Sequence, residues 1–129
     1  MYRSKRKALA KVGAEAPQRL ERLFLGTDET DKAFLADVLN PASLFVGMHA
    51  DEATEPIVDF AISLGAPFAV VPCCVFPTLF SKRRLPDGRC VNTTSELIDY
   101  LVAKDPENIQ TCFLPFEGRN RVVFSLGSR

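Results

Sequence analysis

The chain has 129 residues, 47% of them hydrophobic and 25% charged, with 16 basic side chains balanced by 16 acidic ones. That length suits one domain with its own core, and the charge balance excludes a strongly basic nucleic-acid-binding domain while leaving room for local patches. No apolar run approaches the roughly 20 residues of a membrane-spanning helix, and the basic start MYRSKRKALAK leads into no apolar signal region. A cytoplasmic setting is therefore expected, with a nuclear one as the alternative, and no membrane contact. Thiols stay reduced there, so Cys73, Cys74, Cys90 and Cys112 do not read as a disulfide framework.

In chain order, residues 4–12 predict a short helix with Ala8, Leu9 and Val12 on its apolar side and Gly13 as its stop. After Pro17, residues 20–25 predict a strand, with a continued helix as the alternative. Residues 31–39 predict a helix carrying Phe34, Leu35 and Leu39 on one side and stopped by Asn40-Pro41. SLFVGMH, residues 43–49, has the composition of a strand buried on both faces. Thr54 reads as the cap of a helix that tolerates Pro56 in its first turn, with Ile57, Phe60, Ala61 and Leu64 on one face and Gly65 at its close.

PFAVVPCCV, residues 67–75, repeats the buried-strand signature, so residues 44–75 form a strand, helix, strand unit of a length suited to a right-handed crossover. The loop LFSKRRLPDGRCVN follows, rich in turn formers and cations. Thr93-Thr94-Ser95-Glu96 is a capping box opening a helix whose inward side is Leu97, Ile98, Leu101 and Val102. Residues 109–114 and 121–126 predict strands around PFEGRN, an antiparallel hairpin. Alternating helices and strands define an α/β fold with a mostly parallel sheet.

Two segments carry a resemblance. VGMHADEAT, Val46 to Thr54, resembles the G-x-H-x-C-G-x-x-T segment after the fourth strand of certain class I, Rossmann-like S-adenosylmethionine-dependent methyltransferases, a subgroup containing tRNA 2′-O-methyltransferases and methyltransferase-like proteins. VPCC, Val71 to Cys74, resembles that subgroup's P-C-C at the end of the fifth strand. Gly47, His49 and Thr54 are carried over from the first motif and Pro72, Cys73 and Cys74 from the second, while Asp51 and Glu52 stand where the family has cysteine and glycine. Gly26-Thr27-Asp28 is similar to the place where such enzymes hold the adenine amino group.

The resemblance implies a single partial methyltransferase-like domain over residues 1–129, a transferase fold using S-adenosylmethionine. The glycine-rich turn that cradles this cofactor is absent from the sequence, so binding and turnover by this chain alone are not expected. Family sheet order is 3-2-1-4-5-7-6. Without strands one and two, the resemblance predicts an incomplete sheet in which the third strand moves beside the fourth, another chain covers the edge, or the chain is a shortened form of a longer one.

Ligands of open α/β sheets bind beyond the carboxyl ends of the strands. His49, Asp51 and Glu52 are the candidate catalytic residues there, as base or orienting group for an acceptor hydroxyl. Thr27, Asp28, Gly47 and His49 are the candidate cofactor contacts, and Thr54, Cys73, Cys74, Glu117 and Asn120 the candidate substrate contacts. The alternative is that His49 and Asp51 only terminate a strand. For the thiols, filling of the strand end leads, ahead of pocket lining; a zinc site from His49, Cys73, Cys74 and Cys90 and a Cys-His nucleophile are the sharper alternatives. Phe76, Phe80 and Phe116 read as core or as stacking groups.

The cationic clusters, Arg3 to Lys11 and Lys82, Arg83, Arg84 and Arg89, read as solvated faces or as RNA phosphate contacts. RNA, a protein covering the sheet edge and a second copy of the chain are the candidate partners. A non-catalytic interaction domain is the rival to the enzyme.

Overall fold

The computed structural model describes Gly13 and residues 32–129. The helix expected over residues 4–12, the strand expected over residues 20–25, and Thr27 and Asp28 lie outside the described residues. The first described element, α1, is an α-helical turn at Lys32–Phe34 that widens into a π-helical turn at Leu35–Leu39. The Asn40 amide donates to Leu35 O at 2.8 Å, and Leu39 reaches the core with Phe34 and Leu35 packed against it. The remaining elements are β1 (Phe45–Met48), α2 (Thr54–Leu64), β2 (Phe68–Val71), α3 (Thr94–Ala103), β3 (Gln110–Phe113) and β4 (Arg121–Ser125).

The four strands form one sheet in the order β1-β2-β4-β3, with β1 parallel to β2 and β4 antiparallel to both its neighbours. Three strands therefore point the same way, yet only the β1–β2 pairing is parallel. The sheet is an open mixed sheet rather than a mostly parallel one, because the short loop after β3 can return the chain only as an antiparallel strand. Composition explains why β4 goes inside and β3 outside. Val122 and Val123, on opposite faces of β4, are both buried, whereas Gln110, Cys112 and Phe113 of β3 are exposed.

Helix α2 packs on β1 and β2, and α3 packs on β4. Both use the face that carries Phe45, Phe68, Val70 and Val123, which joins Val58, Ala61, Leu97 and Leu101 in one core. The ring of Phe60 meets Phe45 edge-on with centroids 5.7 Å apart. The expected inward row of α2 is rotated. Thr54, Val58 and Ala61 are buried, while Ile57, Phe60 and Leu64 are half-buried against the core.

The capping box of α3 forms as read: the Glu96 amide donates to Thr93 Oγ1 and the Thr93 amide to Glu96 Oε1, each at 3.1 Å. Leu97, Ile98 and Leu101 are buried on its inward side. Thr54 does not cap α2. A 3-10 turn at Asp51–Ala53 runs directly into the helix, the residue before it is Ala53, and no side chain caps the end. Gly65 closes the helix in the left-handed conformation at φ 64°, its amide donating back to Ile62 O.

Two strands differ from expectation. β1 is not buried on both faces: Phe45 and Gly47 are buried, while Leu44, Val46 and Met48 stand 55%, 66% and 60% exposed. Among the described residues β1 pairs only with β2, so its outer edge is open there. β2 ends at Val71, short of the cysteines, because Pro72 has no amide hydrogen to continue a ladder. No helix among the described residues is long and apolar enough to cross a membrane.

Candidate functional site

The carboxyl ends of β1, β2 and β3 and the start of β4 share one end of the sheet, and most of the described site residues gather there. β1 delivers His49, whose amide donates to Val71 O at 3.0 Å and so continues the parallel pairing one residue beyond Met48. The chain then turns sharply. His49 and Asp51 adopt φ of 50° and 52°, left-handed values that cost a side-chain-bearing residue about 1 to 2 kcal/mol. Phe76, two residues after Cys74, does the same at 50°. Strain of this kind persists only where surrounding contacts impose it, and it gathers at ligand sites.

The imidazole of His49 is exposed and places Nε2 3.3 Å from the Arg119 carbonyl oxygen. A carbonyl can only accept, so the bond requires a proton on Nε2, and the ring's other nitrogen, Nδ1, has no partner among the described residues. This contact joins the β1 end to the loop 114–120. Asn120 shapes that loop from within, donating through Nδ2 to Phe116 O at 2.7 Å while its carbonyl accepts from the Leu114 amide. Glu117 and Glu52 are exposed, and neither makes a hydrogen bond or ion pair among the described residues.

Asp51 reaches the thiols. Cys73 Sγ donates to Asp51 Oδ1 at 3.2 Å, and a carboxylate oxygen of Asp51 and the sulfurs of Cys73 and Cys74 all lie within 4.8 Å of one another. In a regular strand adjacent side chains point to opposite faces. Because β2 stops at Val71, the irregular backbone beyond Pro72 turns both thiols to the same side. Neither fills the strand end: Cys73 is half-buried and Cys74 exposed. The Cys73 thiol is pushed up to about 11 by burial, by the Asp51 carboxylate it donates to and by Cys74 beside it. At neutral pH it is protonated and a poor nucleophile. Cys90 sits apart, in the loop where Arg84 and Cys90 form an isolated antiparallel bridge, and Cys112 is on the edge strand β3.

Beside the thiols opens a cleft of about 230 Å³, lined by Pro72, Thr94, Phe113, Arg119, Asn120 and Arg121 among others. Thr94 Oγ1 donates to Cys73 O at 3.2 Å, so the start of α3 holds the cysteine backbone in place. Arg121 carries its guanidinium 5.4 Å from the Phe113 ring centroid and donates to Thr111 Oγ1, while its Nε is buried without a partner. The positive charge of Arg119 and Arg121 on the cleft wall suits an anionic or carbonyl-bearing ligand. Sequence reading overlooked Arg121, and only the loop ending at Asn120 hinted at it.

Two carried-over residues serve packing. Gly47 is buried beneath α2: a Cβ there would stand 2.8 Å from Ile57 Cδ1 and 3.3 Å from Val70 Cγ1. Thr54 is buried in the first turn of α2, and it comes one residue earlier than the motif's spacing requires. Of the expected cofactor contacts that are described, His49 is exposed and Gly47 is buried.

Of the loop cations, Arg83 is taken into the fold, and Arg84 and Arg89 have partners at the surface. Arg83 is buried, donates to Glu55 Oε2 at 2.6 Å and to Val75 O, and lies 3.8 Å over the Phe80 ring, which leaves that ring no face for a substrate on this side. Glu55 also accepts from Tyr100 Oη at 2.7 Å and Lys104 Nζ at 2.9 Å. Burial alone would raise the Glu55 carboxyl, but Lys104, Tyr100 and Arg83 together hold it below the usual range. Arg89 pairs with Asp87 and Glu96, and Arg84 donates to Ser81 O. This network fastens the long loop to α2 and α3. No pattern in the sequence singled out Glu55.

No family model matches the chain, and no curated protein or solved structure matches it.

Proposed function

We propose that the chain is a methyltransferase-like domain whose described residues supply the acceptor side of the crevice. One observation carries this reading. The order and directions of β1, β2, β4 and β3 correspond to strands four, five, seven and six in the family order 3-2-1-4-5-7-6, with the G-x-H and P-C-C segments at the ends of the fourth and fifth. In it, His49 presents Nδ1 to orient or deprotonate an acceptor, Asp51 and the thiols line one wall, and Arg121 binds an anionic or carbonyl group in the cleft. RNA is a candidate acceptor.

The glycine-rich turn that would cradle the cofactor is absent from the sequence, so no step is routed through it. Titration calorimetry with S-adenosylmethionine and S-adenosylhomocysteine on this chain should show no binding. A form extended by an in-frame upstream segment encoding a glycine-rich strand, turn and helix should bind both. Absence of such a segment together with absence of binding would overturn the methyltransferase reading. A non-catalytic interaction domain is the second reading, favoured by the exposed apolar row Leu44, Val46 and Met48 beside the β1 edge that no described strand pairs with.

A further inference from the structure

We infer that Asp51, Cys73 and Cys74 form a three-ligand site for a thiophilic divalent cation of the zinc type, with its remaining coordination position open to the crevice. The inference goes beyond the proposed function and does not rest on it. Three ligand atoms from two loops, 22 residues apart in sequence between Asp51 and Cys73, already lie within 4.8 Å of one another. Tetrahedral zinc with bonds of about 2.3 Å to sulfur and 2.0 to 2.2 Å to oxygen needs ligand separations of roughly 3.6 to 3.8 Å. The Cys73 Sγ to Asp51 Oδ1 separation of 3.2 Å is within a few tenths of an ångström of that.

The donor set selects the ion. Two thiolates and one carboxylate suit zinc or cadmium, whereas magnesium and calcium require a shell of oxygens. Binding converts two thiols to thiolates and releases two protons to the buffer, while the cation takes the place of the Cys73 proton against Asp51. A dication there offsets the negative charge that two thiolates and a carboxylate would otherwise gather in one place. Thr94 Oγ1 fixes the Cys73 backbone through its carbonyl. Exposure of Asp51 and Cys74 gives the ion access and leaves a position for water or a substrate oxygen.

This assignment revises the zinc alternative read from the sequence. Cys90 lies in the bridge with Arg84 and His49 is engaged with Arg119 O, so neither belongs to the cluster. The site also gives the adjacent cysteines a joint role that a regular strand would forbid.

Cadmium titration of the reduced protein, followed by the ultraviolet thiolate-to-cadmium band, should saturate at one equivalent, and zinc should displace the cadmium. The Cys90→Ser/Cys112→Ser double variant should behave as the parent. Cys73→Ala and Cys74→Ala should each weaken binding by at least about 100-fold, and Asp51→Asn by about 10-fold or more, since even supporting residues of metal sites change affinity by about 10- to 100-fold. A second measurement needs no variant: zinc should protect Cys73 and Cys74 from alkylation, read by peptide mass spectrometry, while Cys90 and Cys112 stay reactive. No band at micromolar metal, a band lost in the double variant but kept in Cys73→Ala, or equal protection of all four thiols would overturn the assignment.

Discussion

Gly47 occupies two positions at once, a motif position in the sequence and a packing position in the structure. Ile57 Cδ1 and Val70 Cγ1 crowd the place where a Cβ would go, and Val70 is fully buried. Gly47→Ala should therefore lose about 1 to 2 kcal/mol, the usual cost of overpacking. Ile57→Val removes the nearer obstacle. In the Gly47→Ala background it should restore at least half of the loss, although by itself it costs about 0.5 to 1.5 kcal/mol. Urea unfolding of the four proteins in a double-mutant cycle measures the coupling. Purely additive losses would show that Val70 alone sets the limit. His49 shows the same division of legibility: its position after a strand was readable, but its left-handed backbone and its bond to Arg119 O depend on a loop 70 residues away.

Among the elements, the loop between β2 and α3 is held by charge. Arg83 and Glu55 are largely buried, so removing the carboxylate leaves the Arg83 guanidinium without its ion-pair partner, while Lys104 keeps Asp59 at 2.8 Å. Glu55→Gln should cost about 3 kcal/mol, as one-sided removal of a buried ion pair does. The pH dependence has a definite sign. The folded-state Glu55 carboxyl lies below its unfolded value, so its contribution is fully present above the ordinary 4.5 and is lost as pH falls below that. Urea midpoints from pH 7 to pH 3 should fall on the acid side in the parent and more shallowly in Glu55→Gln. A parallel acid limb in both would assign the acid sensitivity elsewhere. Capping chemistry made α3 readable because a capping box is local. The Glu55 network joins residues 28 and 49 positions apart, which no local pattern marks.

At the scale of the whole molecule, the helices of the described residues cover one face of the sheet and leave the Leu44, Val46 and Met48 row exposed beside an edge that no described strand pairs with. Natural sheets blunt such edges with charge, particularly lysine. Val46 is 66% exposed, so Val46→Lys should change stability by less than about 0.5 kcal/mol. If the second functional reading holds, with a second copy as partner, sedimentation should show self-association that grows with concentration in the parent and disappears in Val46→Lys. A parent that stays monomeric at every concentration removes that support. The cationic loop is a weaker partner surface than its composition implies, since Arg83, Arg84 and Arg89 already have partners within the fold.

The sequence by itself determined the α/β class, the strand, helix, strand unit through β1, α2 and β2, the capping box of α3 and the closing hairpin. Each rests on periodicity, turn residues or caps, which act within a few neighbours. Tertiary structure alone decided that β4 lies between β2 and β3, that Gly47 yields room to Ile57, and that Arg83 is interior rather than a surface cation. It also decided the fate of the adjacent cysteines. Pro72 ends the ladder, Asp51 arrives from the neighbouring strand, and the two thiols meet it on one side, an encounter set by parallel pairing across 22 residues rather than by any local signal.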